Sequence, residues 1–166
     1  MRLPRRQQAP TRPRTVVGMW LRASFLRQDQ LRDQLAGRLN GGQKGWNRDE
    51  AGVMQAACVL AVNYYFGPGY DVRAITELAS HIRETVMAGG GTMHGQLEME
   101  AVIRHALGET DVDVNGINAR IAFEVQGIVI AAIAWRSGLA ESRIDELITE
   151  AERMAFVHGW NPPLAV

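Results

Sequence analysis

The sequence predicts an all-α protein: a single compact bundle of about six helices, preceded by a disordered basic N-terminal arm. Three observations lead to this prediction. Apolar residues recur at helical spacing along most of the chain. N-cap residues and glycines stand where these patterns begin and end, and prolines and arginines are concentrated at the start. With 166 residues and 46% hydrophobic content, the chain matches one globular domain.

The predicted arm comprises residues 1–15, which hold three prolines and five arginines. Because proline removes backbone donors and like charges repel, such a segment favours an extended, disordered chain. The helical domain is then residues 16–166. Two alternatives for the arm are an inert terminus and a cleaved targeting peptide, since residues 1–28 are rich in arginine and contain no acid.

The first part of the domain predicts two helical segments. Residues 16–39 carry apolar side chains at helical spacing and stop at an Asn-Gly-Gly sequence, residues 40–42. Asn47 and Glu50 then form a capping-box signature. This signature predicts the start of an apolar helix that runs to about Phe66, where a Gly-Pro-Gly sequence breaks it.

The middle of the chain predicts two further helices. Asp71 is the N-cap of a segment with a clear 3.6-residue apolar period, which ends at the glycines of residues 89–91. Thr92 is the expected cap of the next helix, which runs to about Leu107. Residues 109–115 are polar and typical of a turn.

The last third predicts a long helix to Trp135 and a final helix after Gly138. Residues 128–135 are apolar on all sides, so we expect them at the centre of the bundle. Gly159 and the prolines at 162–163 stop the final helix. A similar order of apolar helix, glycine turn and amphipathic helix occurs 69 residues earlier. It indicates either an internal duplication or a chance recurrence of helical spacing.

Charge is distributed very unevenly along the chain. The net charge is zero, yet residues 1–48 sum to +9 and residues 49–166 sum to −9. A basic segment joined to an acidic body favours an anionic partner, which is a nucleic acid, another protein or a second copy of the chain. The candidate binding residues in the arm are Arg2, Arg5, Arg6, Arg12 and Arg14.

The final helix is the second candidate binding surface. The residues before and within it resemble the spacing of the helix-turn-helix motif: Ala134, Gly138, Leu139, Ile144 and Leu147. Acids on the helix that would enter the major groove are repelled by phosphates, so we interpret the motif as a packing hairpin. The acids are instead expected to contact a protein: Glu141, Asp145, Glu146, Glu150 and Glu152.

No residue pattern predicts catalysis, a metal site, a cofactor or a small-molecule substrate. Cys58 lies in an apolar segment and is expected to be a core residue. His94 and His105 share a helical face but are about 16 Å apart, too far to bind one metal ion. The longest apolar run has eight residues, too few to span a membrane. A cytoplasmic protein without a membrane partner is therefore predicted.

These observations favour a non-enzymatic binding or assembly module whose arm contacts an acidic protein surface. In the self-associating form, the arm of one copy docks on the acidic final helix of another. The first alternative is a protein that binds DNA or RNA through the same arm with little sequence specificity. The second is a small helical enzyme, which needs polar groups that converge between helices.

Overall fold

The computed structural model describes residues 12–39, 47–91 and 94–165, and the described residues form seven α-helices. The predicted all-α class and compact bundle are confirmed. The helices are α1 (Val16–Phe25), α2 (Asp29–Ala36), α3 (Arg48–Phe66), α4 (Val72–Ala88), α5 (Gln96–Ala106), α6 (Ala119–Arg136) and α7 (Glu141–Val157).

The segment predicted as one helix over residues 16–39 is two helices, and α1 ends at Phe25, beside α6. The indole N–H of Trp135 donates to the Phe25 carbonyl oxygen at 3.2 Å, and this bond satisfies a carbonyl at the helix end. Arg27 has a φ of 55°, in the left-handed region that non-glycine residues rarely adopt. Its guanidinium lies 5.3 Å from the centre of the Trp135 ring.

Two predicted N-caps are confirmed. The Asn47 side-chain oxygen accepts hydrogen bonds from the backbone N–H groups of Asp49 and Glu50, at 2.9 and 3.1 Å. The Asp71 carboxylate accepts one from Arg73 at 2.9 Å. Both caps satisfy donors that have no partner within the first turn of a helix.

The cap expected for the next helix is Thr92, which lies outside the described residues. The helix itself, α5, begins at Gln96, and Gly95 is its N-cap. Because glycine has no side-chain oxygen, this end lacks a side-chain cap.

Helix α3 is at the centre of the bundle. It packs most extensively against α6 and α7, and also against α5 and α1. Burial raises the pKa of the Cys58 thiol on α3 to about 12, so this side chain is neutral and behaves as a core residue. The buried apolar side chains of α3 are Val53, Met54, Ala56, Ala57, Cys58, Ala61 and Val62.

Residues 128–135 of α6 pack against one side of α3 and do not occupy the centre that their composition predicts. Val129 and Ile133 are fully buried, whereas Trp135 is 49% exposed. In this part of α6, therefore, an apolar sequence on all sides does not mean that every side of the helix is buried. No described helix, α6 included, is long and apolar enough to cross a membrane.

Gly52 on α3 leaves room for the indole ring of Trp160, since a Cβ at this position would overlap the ring. We expect Gly52→Ala to lower the free energy of unfolding by about 1–3 kcal/mol, because the ring or the backbone must move. Alanine is the better helix former by about 1 kcal/mol, so a net loss identifies the overlap as its cause. Urea unfolding measures the change.

Gly37, at the end of α2, is the matched control for this substitution. A Cβ there makes only an ordinary contact, 3.6 Å from the carbonyl oxygen of Gln34. Gly37→Ala is therefore expected to leave stability unchanged or to raise it slightly. Equal unfolding midpoints for the two variants would contradict the packing of Trp160 against α3.

Candidate binding site where the arm meets the last helix

The structure describes the end of the predicted arm, from residue 12 onward. Arg12 and Arg14 are both exposed. The Arg14 guanidinium lies 4.8 Å from the centre of the Phe156 ring on α7, a contact worth about 0.5–1 kcal/mol at an exposed site. The other candidate arginines of the arm lie outside the described residues: Arg2, Arg5 and Arg6.

The backbone at the end of the arm binds a buried carboxylate on α7. Glu152 is 1% exposed and accepts hydrogen bonds from the N–H groups of Arg14 and Thr15, at 3.0 and 2.8 Å. It also accepts one from the Thr15 hydroxyl at 2.7 Å. The Thr15 oxygen accepts in turn from the Gly18 N–H at 2.9 Å and so caps α1. These donors compensate the cost of burying the charge.

The same segment pairs with the C-terminal part of the chain. The Val16 N–H donates to the carbonyl oxygen of Pro163, and the Ala165 N–H donates to that of Arg14, both at 2.8 Å. The two bonds make an isolated antiparallel β-bridge. Pro13, just before it, is buried. Residues 14–16 are therefore held in place beside the C-terminal segment. We call residues 13–15, with Glu152, the arm anchor.

A buried ion pair joins the middle of α1 to the first turns of α7. Arg22 donates from Nε to Asp145 at 2.6 Å, and from a terminal nitrogen to Glu141. The side chains of Arg22 and Asp145 are 9% and 10% exposed, whereas that of Glu141 is 58% exposed. The hydrogen bond that Arg22 donates to Asp145 raises the pKa of the Arg22 guanidinium, so its charge is retained.

The two remaining candidate acids lie on the side of α7 that faces away from α1. Glu146 accepts from Arg143 at 2.5 Å, and Glu150 accepts from Arg153 at 2.6 and 2.8 Å. The hydrogen bond from Arg153 lowers the pKa of Glu150. All five candidate acids thus have a partner within the chain. The exposed pairs add little to stability.

The structure brings the basic N-terminal part and the acidic last helix together within one molecule, and two of the residues that do so, Thr15 and Arg22, were not among the predicted binding residues. Both donate side-chain hydrogen bonds to α7. A signal for them was present, because Asp145 and Glu152 fall on the same helical face as the apolar Ile148. A carboxylate on the buried face of a helix indicates a buried donor on a neighbouring element.

Comparisons of the chain with protein-family models, with curated proteins and with solved structures return no match. Within the three described ranges, no group of three or more His, Cys, Asp or Glu side chains is arranged to hold a metal ion. The arm anchor and the surfaces of α7 are the features on which a function is proposed.

Proposed function

We propose that the chain is a non-enzymatic binding module whose basic N-terminal arm contacts an acidic surface of a protein partner. The arm anchor is the observation that supports this proposal most directly. It orders the backbone of Arg14 and Thr15 on the domain, so less entropy is lost when the preceding residues bind. Arginine also suits this role, because its planar guanidinium binds carboxylates with two hydrogen bonds.

Self-association through the arm is one form of this proposal. Asp145 and Glu152 are buried and bind Arg22 and Thr15 of the same chain, so they are not acceptors for the arm of a second copy. The accessible acceptors are Glu141, Glu146 and Glu150, whose side chains are 58%, 62% and 43% exposed. The arm of a second copy would compete there with partners in the same chain, so a separate acidic protein is the favoured partner.

A nucleic acid is the second candidate partner. Arg12 and Arg14 make no ion pair within the described part of the chain, so their charges are available to phosphates. Binding of this kind depends on counterion release and needs no sequence readout. It would use the same arginines as the protein partner.

A cytoplasmic location is part of the proposal. The chain has one cysteine, and Cys58 is a buried thiol. A chain without an internal disulfide is typical of a reducing compartment.

Binding to polyglutamate tests the protein-binding proposal. We expect the full chain to bind this probe and deletion of residues 1–11 to weaken binding at least about tenfold, since three of five arginines are removed. Replacing the five arm arginines by lysine is the matched control, because it keeps the charge and removes the bidentate geometry. Binding that survives the deletion would contradict a role for the arm. Fluorescence anisotropy of the labelled probe measures the affinities.

Salt dependence on duplex DNA separates the two candidate partners. Five phosphate contacts predict a slope of log K against log salt of about −4.5, and the two arginines left after the deletion predict about −1.8. Undetectable binding to duplex DNA at low salt, with retained binding to polyglutamate, would exclude the nucleic-acid candidate. The lysine variant should keep the DNA slope, because the slope counts charges.

A further inference from the structure

A shallow groove of about 200 Å³ lies between the end of α3 and the outer side of α7. Its apolar lining includes Tyr64, which is 53% exposed. Charged side chains of α7 form its rim. The lining residues are Leu60, Tyr64, Leu139 and Leu147, and the rim residues are Arg143, Glu146 and Glu150. We call this surface the outer groove.

The outer face of α7 extends the groove along the helix. At 100° per residue, four residues fall within an arc of about 60°: Arg143, Leu147, Glu150 and Met154. Asp145 and Glu152 point from the other side of the helix toward α1. With 17 residues, α7 offers a face about 25 Å long. This face alternates apolar and charged positions.

We propose that the outer face of α7 is an interface with a second copy of the chain, related to the first by a two-fold axis. Consider an antiparallel pair of α7 helices whose axis passes between residues 146 and 147. Arg143 of each copy then lies opposite Glu150 of the other, and each keeps its partner in the same chain, Glu146 or Arg153, so the contact across the axis extends these pairs and does not replace them. In the same register the two Leu147 side chains flank the axis. The face is therefore complementary to itself, as an isologous interface requires.

Other registers lose this match. With the axis at residue 148, Arg143 lies opposite Arg153 and Glu146 opposite Glu150, and like charges in contact disfavour the pair. Three residues beyond the first axis, Glu146 meets Arg153, but the two Leu147 residues are then about 7.5 Å apart along the helices and no longer flank the axis. Exposed ion pairs contribute little free energy. The apolar groove therefore supplies the affinity, and the charges set the register.

This interface goes beyond the proposed function, because it does not use the arm. We expect the full chain to sediment as a dimer, with twice the monomer mass of 18.3 kDa. Arg143→Glu and Glu150→Arg each place like charges opposite one another at two points of the dimer. Each single substitution should raise the dimer Kd at least about tenfold, and the double variant should restore it to within about threefold.

Several outcomes would overturn this interface. The first is a full chain that stays monomeric at about 1 mM protein. The second is a dimer Kd that the single substitutions leave unchanged, and the third is a double variant whose Kd is as high as those of the single variants. Deleting residues 1–11 separates the interface from the arm, because the α7 dimer should persist without them. If the deletion abolishes the dimer and the charge inversions leave its Kd unchanged, the arm holds the two copies together instead. Thermal melting followed by circular dichroism confirms that each variant is folded.

Discussion

Replacing Asp145 with alanine is expected to lower the free energy of unfolding by about 3–5 kcal/mol, because it removes the main acceptor of a buried charge. Arg22 Nε donates to Asp145 at 2.6 Å, and both side chains are about nine-tenths buried. Without the carboxylate, the guanidinium stays in a site that water scarcely reaches, and its Nε donor is left unsatisfied. Urea denaturation measures the loss as a lower midpoint at constant slope.

Glu141→Ala is the matched control, because Glu141 binds the same guanidinium from an exposed position. We expect it to cost no more than about 1 kcal/mol. A variant with Arg22→Met and Asp145→Leu should recover most of the stability, since a buried pair replaced by apolar side chains is often neutral. If the Asp145 and Glu141 variants are equally stable, the pair does not act as a buried unit.

The buried pair gives the uneven charge of the sequence a structural explanation. Part of the positive segment, residues 1–48, and part of the negative segment, residues 49–166, meet inside the domain, at Arg22 with Asp145 and at Thr15 with Glu152. Charges that hold α1 on α7 are not available to a partner. The exposed remainder, on the arm and on the outer face of α7, is where binding is proposed.

Helix ends set by local chemistry could be predicted from the sequence. The side chains of Asn47 and Asp71 cap helices by binding backbone groups two or three residues away, and such bonds depend on neighbouring residues alone. The break after Phe25 could not be predicted in this way. No glycine or proline marks it, and the carbonyl at the break accepts a hydrogen bond from Trp135, which is 110 residues away.

The candidate site was predictable only in part, for the same reason. The acids of α7 were recognised, but the sequence pattern does not show which partner each one meets. Arg22 and Asp145 are 123 residues apart, so their pairing depends on how α1 and α7 pack. Likewise, helical periodicity identified α3 and α6 as apolar without showing which of them is central.

Glu152→Ala is expected to lower the free energy of unfolding by about 3–4 kcal/mol, since it leaves buried donors of Arg14 and Thr15 unsatisfied. Glu150→Ala, two residues away on the exposed face, should cost less than about 1 kcal/mol. Hydrogen exchange at the Val16 amide reports the anchor directly, because this amide donates to Pro163 across the β-bridge. Unchanged exchange in the Glu152 variant would contradict the role of the carboxylate.

The conservative variant Glu152→Gln connects the arm anchor to binding. It keeps every arginine and most of the side-chain volume, but removes the charged acceptor of the backbone N–H groups of Arg14 and Thr15. Ordering the backbone of one residue costs about 1–2 kcal/mol, so binding of polyglutamate should weaken about tenfold at temperatures where the variant is folded. If the affinity is unchanged, the arm anchor does not contribute to binding by the arm, and it contributes only to the stability of the fold.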